Sequence, residues 1–355
     1  MKADDPIGVT FVVPGDLHLT EPGLENHRAA LRMVGEVNEL IRPDFVQFIG
    51  DNVQDATIEQ FRLFEDLRGR LTVPHQILVG DHDVMPDNEA KGDHAYLGRT
   101  YGSTSLRGFR FIRLDTQEAK PVGLSPEQID WFRDEVDEAL AHDERIVIFQ
   151  HNYPYQIWED FAGPGIDDWR GIVQSRRIAA IFCGHTHYLQ VANDGRNVLV
   201  ATRSIGDPEG GPPGYLIGYV CGNDVAATYR SVQDEGPVVL VTHPSESLFA
   251  RGPKQVVSGP DEFRVRVWAA LRIVEVRGCL DGAGWIALEP STTPGEWTAP
   301  LPGDRLAKGE HAFEVEATDA DGRRGIQRIT FMVDPTGRYT PVPRTHPSVA
   351  ETAFC

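Results

Sequence analysis

The chain has 355 residues, 41% of them apolar and 25% charged, with a formal charge of −19. That length exceeds one typical domain and predicts two, in a composition ordinary for globular protein. The acidic balance argues against a nucleic-acid polymer as partner, because neutralising its phosphates needs Lys/Arg patches. Residues 1–30 contain no basic stretch followed by an apolar one, and nowhere do the ~20 consecutive apolar residues of a membrane helix occur. The expectation is therefore a cytoplasmic protein with no membrane span, although a trimmed secretory signal stays open. Four scattered cysteines, Cys183, Cys221, Cys279 and Cys355, form no disulfide framework and suit a reducing compartment.

In chain order, strand-like runs alternate with helical ones. Val9–Val13 leads into Asp16-Leu17-His18, and a helical pattern over Glu25–Ile41 follows. Phe45–Ile49 leads into Gly50-Asp51-Asn52, followed by a second helical pattern over Ile58–Leu71. Gln76–Val79 leads into Gly80-Asp81-His82-Asp83. Ser125-Pro126-Glu127-Gln128 reads as a helix start, with Ser as N-cap, Pro at the first position and Gln completing a capping box. That helix runs through Ile129, Phe132, Val136 and Leu140. Ile146–Phe149 leads into Gln150-His151-Asn152, and Ile178–Cys183 into Gly184-His185-Thr186-His187. Strands are expected again at Asn197–Ala201, Tyr215–Val220 and Val225–Tyr229.

The texture changes at Gly236-Pro237. Short runs at Val238–Thr242, Glu262–Ala269, Ile273–Cys279, Gly284–Leu288, His311–Ala317 and Gln327–Val333 are separated by turn signals such as Asp281-Gly282 and Asp321-Gly322. This spacing predicts an all-β sandwich of immunoglobulin-like type. The expected division is 1–235 for an α/β domain, 236–334 for the sandwich and 335–355 for an irregular, proline-containing tail.

Five of these strands end in a carboxylate or imidazole cluster. In layered α/β proteins such ends gather along one edge of a sheet, where ligands bind. Three aspartates (Asp16, Asp51, Asp81) and four histidines (His18, His151, His185, His187) are too many for one ion, since catalytic zinc typically takes three protein ligands. They suit two ions, if one carboxylate bridges. The mixed nitrogen and oxygen donors favour transition metals, and two ions roughly 3.5–4 Å apart can clamp a phosphoryl group and activate water.

The ordered set DLH, GDN, GDHD, QHN and GHTH resembles that of the calcineurin-like metallophosphoesterases, whose usual pattern is DxH, GD, GNH(D/E), H and GHxH. The resemblance covers about Val9 to Thr228. It implies a four-layer αββα sandwich for the first domain, two divalent or trivalent ions (Mn, Fe or Zn), and a small phosphoester substrate. By position, one ion is expected on Asp16, His18 and His187 and the other on Asp81, His151 and His185, with Asp51 bridging. His82 is expected to donate the leaving-group proton, with Asp83 orienting it. Asp81 departs from the usual Asn and adds negative charge beside the second ion.

Four further residues are candidate substrate contacts: Asn52, His94, Asn152 and Tyr153. For the two asparagines, orienting a ligand from behind is an equal alternative. Tyr153, with Tyr155 and Trp158, fits either a substrate wall or core packing. The expected activity is hydrolysis of a small phosphodiester, of glycerophosphodiester or cyclic-nucleotide type, by a metal-bridging hydroxide. The rival readings are a phosphomonoesterase and a non-catalytic metal-binding scaffold. Whether copies associate into a homo-oligomer is left open.

Overall fold

The computed structural model describes residues 8–84, 96–119, 121–154 and 163–345. Two mixed sheets face each other in the first part of the chain. One has five strands in the order β11 (Asp224–Ser231), β10 (Gly214–Cys221), β1 (Val9–Pro14), β2 (Phe45–Phe48) and β3 (His75–Ile77). The other has seven, in the order β20 (Arg344–Thr345), β8 (Gln190–Asn193), β9 (Val198–Ala201), β7 (Ile178–Cys183), β6 (Arg145–Gln150), β5 (Phe109–Leu114) and β4 (Gly102–Leu106). Within each sheet the central strands run parallel, β1-β2-β3 in one and β5-β6-β7-β9 in the other.

All six residues of β1 are buried, so both faces of the strand are covered. Val9, Phe11 and Val13 enter the core between the sheets, while Val12 enters the core beneath α1 (Glu25–Glu36) and α2 (Ile58–Arg68). This is the two-residue period of a strand sorting its side chains between two cores. Phe11 centres the inner layer, its ring 5.5 Å from Phe45, 5.5 Å from Phe149 and 5.1 Å from Phe182. On the far side, α3 (Pro126–Ala141) and α4 (Ile166–Ser175) cover the larger sheet through Ile129, Phe132, Val136, Ile166, Trp169 and Ile172. Helix, sheet, sheet and helix make the four-layer sandwich.

Several elements differ from their expected extents. The first helix is α-helical only to Glu36 and continues as a π-helical turn over Val37–Ile41, closed by Arg42 in the left-handed region. β3 stops at Ile77, because the backbone turns there toward Gly80. α4 was not expected: it is ten residues long and its buried Ile166, Trp169, Ile172 and Val173 give little more than two turns of periodicity. β4 and β5 form a hairpin whose two turn residues, Arg107 and Gly108, both have positive φ, as a two-residue type I′ turn requires. The Ser125 cap does accept from the Gln128 amide at 3.1 Å, but the Gln128 side chain does not close the box. It spans Asp115 instead, accepting from the Asp115 amide and donating to its carbonyl, which ties the end of β5 to the start of α3.

Two four-stranded antiparallel sheets form the second body: β12 (Val238–His243), β13 (Asp261–Trp268), β17 (Glu296–Leu301) and β16 (Glu289–Pro290) against β15 (Trp285–Ala287), β14 (Ile273–Leu280), β18 (Gly309–Asp319) and β19 (Arg324–Val333). This is an immunoglobulin-like sandwich. Inward residues alternate with outward ones, as along β13, where Phe263, Val265 and Val267 are buried. Phe263 stacks on Phe313 at 3.8 Å across the core. The run expected over Gly284–Leu288 is strand only over Trp285–Ala287, and β16, just beyond it, belongs to the opposite sheet.

The seam between the bodies is polar as well as apolar. Leu240 packs with Tyr219 and Ala226. Asn193 donates to the carbonyls of Leu248 and Ala250, and Gln327 to that of Ala227. His243 stands between Asp224 and Asp261, each of its ring nitrogens 3.0 Å from a carboxylate oxygen. Beyond residue 335 the chain returns to the first body, where β20 extends the seven-stranded sheet along β8.

Candidate metal centre

The seven expected ligands converge although they come from different sheets. Asp16 and His18 follow β1, Asp51 follows β2, and Asp81 opens a 3-10 turn, Asp81–Val84, just beyond β3. His151 follows β6, while His185 and His187 follow β7. The smaller sheet thus supplies the carboxylates and one imidazole, and the larger sheet supplies the other three imidazoles. Every one lies past the C-terminal end of a parallel strand.

Five of the seven have positive φ: Asp16, His18, Asp51, His185 and His187. Left-handed backbone at a non-glycine residue is uncommon, and strained backbone costs of order 1–3 kcal/mol per residue. Such turns persist where the surroundings over-determine them, and here they aim side chains across the gap between the sheets. The glycine before Asp51 serves the same end. Gly50 has φ +106, and a Cβ there would collide with the His151 ring. A Cβ on Gly80 would strike the Asp51 carboxylate.

The side chains form two groups that share Asp51: Asp16, His18, Asp51 and His187, and Asp51, Asp81, His151 and His185. In each, one donor atom per residue lies within 4.8 Å of all the others. In the first, His18 Nε2 faces His187 Nε2 at 3.0 Å, with Asp51 Oδ2 at 3.8 Å from His18. Two imidazole nitrogens held this close need a shared proton or cation between them. Asp16 Oδ1 accepts from the His185 amide at 2.9 Å, whereas Asp16 Oδ2 is buried with no hydrogen-bond partner. An orphaned buried carboxylate oxygen costs free energy unless a cation meets it.

In the second group, the His151 ring donates through Nδ1 to the Ile49 carbonyl at 2.9 Å, which turns Nε2 toward the cluster. Two carboxylate oxygens and a second ring nitrogen crowd that atom: Asp51 Oδ2 at 3.4 Å, Asp81 Oδ1 at 3.0 Å and His185 Nδ1 at 3.2 Å, the last itself 2.9 Å from Asp81 Oδ1. A single proton cannot satisfy all of them. Asp16, Asp51 and His151 are sealed from solvent, and Asp81, with its side chain 40% exposed, is the open side of the cluster.

Similarity to known proteins agrees with this geometry. The sequence profile of the calcineurin-like phosphoesterases matches residues 9–189, just over half of the chain. The chain belongs to the calcineurin-like phosphoesterase family. It is 24% identical over 193 residues to a probable glycerophosphodiester phosphodiesterase of Arcobacter nitrofigilis, covering 48% of this chain and 69% of that protein. It is also 25% identical over 258 residues to the mouse tartrate-resistant acid phosphatase type 5, covering 58% of this chain and 77% of that one. Among solved structures, a dimetal phosphatase from Danio rerio superposes with a TM-score of 0.52 at 13% identity, over 64% of this chain and 97% of the other. Plasmodium GAP50, described as the anchor in the inner membrane complex, gives 0.50 at 13% identity, over 64% and 85%. At such identities the superpositions speak for the fold alone. As a calcineurin-like phosphoesterase the protein is a metal-dependent phosphoester hydrolase, and its family works with a dinuclear metal centre.

The electrostatics suit such a centre. Burial opposes ionisation of Asp51, yet the facing His151 overrides it and holds the carboxyl below its usual range. Asp81 is likewise held low against burial by its contacts with His151 and His185. Burial lowers His18, which favours the neutral imidazole that a metal requires. Burial would also lower His151, but Asp51 and Asp81 raise it well above the ordinary value, so a bound ion must displace a proton there.

The remaining candidates fall into distinct places. The His82 ring lies edge-on to His18 at 4.7 Å, and its Nδ1 is 2.9 Å from the Gln54 backbone carbonyl and 3.2 Å from Gln54 Nε2. Asp83 does not orient it. Both Asp83 oxygens are turned inward, accepting from the amides of Gly80, Asn52 and Val53 and from the Asn52 side chain. Burial and the Asp51 charge push the Asp83 carboxyl up to about 7 in spite of those amides. Asp83 therefore braces the Asp51 loop against the Asp81 turn, and Gln54 takes the place beside His82.

Asn52 is fully buried, its amide nitrogen given to Leu78 O and Asp83. Asn152 is buried too, and its carbonyl accepts from Thr116 Oγ1 at 2.6 Å and Gln117 Nε2 at 2.9 Å. Tyr153 is sealed in the core beneath α3 and α4. His94, Tyr155 and Trp158 lie outside the described residues. Beyond Gln54, two supports carried no sequence signal. Asp207 Oδ2 faces His187 Nδ1 at 3.7 Å, and Ser204 Oγ donates to the Asp16 carbonyl. Both belong to the turn after β9, outside every motif, which is brought in by the bridge Gly15–Ser204 and by the amides of Ile205 and Gly206 donating to the Gly15 and Asp16 carbonyls.

Proposed function

We propose that the protein hydrolyses a small phosphodiester, of glycerophosphodiester or cyclic-nucleotide type, with two transition-metal ions (Mn, Fe or Zn). One ion is assigned to Asp16, His18 and His187, the other to Asp81, His151 and His185, with Asp51 touching both. The observation that carries this reading is the pair of four-residue donor groups that share Asp51. The orphaned Asp16 oxygen and the facing His18 and His187 nitrogens fit a cation, and mixed imidazole and carboxylate donors fit a transition metal. When bound, such a pair supplies Lewis acidity toward the phosphoryl oxygens and a water-derived nucleophile at neutral pH.

The chain's own residues supply the rest. His151 is held in one ring orientation by the Ile49 carbonyl, and the Asp207 carboxylate approaches His187 Nδ1 to 3.7 Å. His82, held at Nδ1 by Gln54 and edge-on to His18, is assigned the transfer of a proton to the departing alkoxide. The exposed Asp81 carboxylate stands where substrate enters, and its repulsion grows with substrate charge. A diester monoanion is therefore favoured over a monoester dianion, in line with the resemblance to a probable glycerophosphodiester phosphodiesterase. The second reading, a phosphomonoesterase, draws on the acid phosphatase relatives. Metal-loaded protein assayed on matched aryl mono- and diesters separates them. The expected result is faster diester turnover, with the ratio moving toward the monoester in Asp81→Asn. An unmoved ratio refutes the role of Asp81, and no turnover of either ester refutes catalysis.

A further inference from the structure

The segment between β9 and β10, residues 202–213, is tied to the ligands of one ion and not to those of the other. The Asp16 carbonyl accepts twice from it, from Ser204 Oγ at 2.7 Å and from the Gly206 amide at 2.9 Å. The His187 carbonyl accepts from the Glu209 amide at 3.1 Å, and the Asp207 carboxylate approaches the His187 ring. Asp16 and His187 both have left-handed backbone, which persists only where neighbouring structure over-determines it. These bonds supply that restraint. A Cβ at position 206 would strike the Leu17 carbonyl, so glycine is what lets the segment lie against the turn from Asp16 to His18. Among the described residues, no hydrogen bond runs from the segment to Asp81, His151 or His185.

The segment cannot hold its own shape. Three glycines and three prolines fall within it, so its backbone is costly to order and short of amide donors. Arg203 makes up the shortfall. Its Nε donates to the Glu209 carbonyl at 2.9 Å and its Nη2 to the Gly210 carbonyl at 3.0 Å, which folds the segment back on its own start. The guanidinium lies over the Tyr229 ring, 4.8 Å from its centre, and the Tyr229 hydroxyl donates to the Pro212 carbonyl at 2.7 Å. Tyr229 belongs to β11, so the far end of the segment is fastened to a sheet. This use of edge donors on two carbonyls and a flat face on an aromatic ring is particular to arginine.

We infer that Arg203, seated on Tyr229, is a positioning residue for the metal centre: it fixes the segment that orients Asp16 and His187, and so sets the affinity for one ion of the pair without touching it. The inference rests on the two-ion assignment above. It divides the centre into two separately supported halves. The donor group of Asp16, His18 and His187 leans on an irregular segment, whereas His151 is turned by a carbonyl at the end of β2. Loosening Arg203 therefore weakens one half and spares the other.

The test titrates metal-free protein with zinc, by calorimetry, in two backgrounds. His151→Ala keeps the Asp16, His18 and His187 group, and His187→Ala keeps the Asp81, His151 and His185 group. Arg203→Gln should weaken zinc binding roughly tenfold in the first background, the low end for a residue that orients ligands from behind, and leave it unchanged in the second. Arg203→Lys should restore little, since lysine has neither the fork nor the flat face. Tyr229→Phe keeps the ring and loses one hydrogen bond, so it is the milder variant if Arg203→Gln fails to fold. Its expected loss is roughly threefold, again in the first background alone. Equal weakening in both backgrounds, or no weakening in the first, overturns the inference while the two-ion assignment stands. No zinc bound in the His151→Ala background removes the separate half and the inference with it. Only a trace of zinc in the unsubstituted chain refutes the two-ion assignment itself.

Discussion

His151 and His243 are both histidines set between two aspartates, yet they lead to opposite outcomes. His243 has one carboxylate for each ring nitrogen, Asp224 on Nδ1 and Asp261 on Nε2, both at 3.0 Å. The other Asp224 oxygen accepts from Ser245 Oγ, and the other Asp261 oxygen from the Glu262 amide. Donors and acceptors balance, and the ring is a charged clasp between the two bodies. Burial opposes that charge, but the two carboxylates push the His243 pKa up to about 9. His151 gives one nitrogen to a backbone carbonyl and turns the other toward two carboxylates and the His185 ring nitrogen, with an unpartnered Asp16 oxygen nearby. That account does not close with protons and closes with a cation. A carboxylate–imidazole cluster is thus diagnostic of metal when its donors fall short, not merely when its residues are near.

The largest effect that would break this contrast is expected at Asp51. Asp51→Ala removes the only residue common to both donor groups, and should empty both sites and abolish measurable turnover. Retention of both metals would refute the bridge. Next comes His82→Ala, expected to slow alkyl esters by the ~10²–10⁴ of general acid catalysis, with activated aryl esters slowed much less and metal content unchanged. Equal losses on both ester types would remove the proton-donor role. Asp207→Ala should weaken metal binding at the His187 side by about tenfold, the low end for a residue that orients a ligand. A titration with apo protein measures it, and an unchanged affinity would leave His187 without need of Asp207.

The smallest effect on catalysis is expected at the clasp. The His243 pKa is raised above 6.5 in the folded state, so its stabilisation is complete below about pH 6.5 and is lost as pH rises through about 9. Its side chain is 20% exposed, so a contribution of about 2–3 kcal/mol is expected. His243→Gln should lower the unfolding free energy by that amount at pH 6 and by little at pH 10. A loss independent of pH would mean that packing, and not charge, holds the seam.

What could be read in advance follows from how local each signal is. Asp16, His18, Asp51 and the His185–His187 pair each sit within a few residues of an apolar run, so their place at strand ends was legible from periodicity and order. The alternation along β13 and β18 likewise carried the sandwich. Gln54 and Asp207 were not legible, since each acts through a contact to a residue far along the chain or a turn that only tertiary structure closes. Asp83 was expected beside His82 because it is adjacent in sequence. In a 3-10 turn adjacent side chains diverge, and its carboxylate meets four donors on the other side. Tyr153 follows a ligand, but it turns inward under α3 and α4, a helix pair of which only the first announced itself.

Elemental analysis of three proteins after identical reconstitution tests the central claim most directly: the unsubstituted chain, His151→Ala and His243→Gln. The contrast between an unclosed and a closed histidine predicts close to two transition-metal ions per chain, about one, and close to two, in that order. Only a trace of metal in the unsubstituted chain, two ions retained by His151→Ala, or an ion lost from His243→Gln would contradict it.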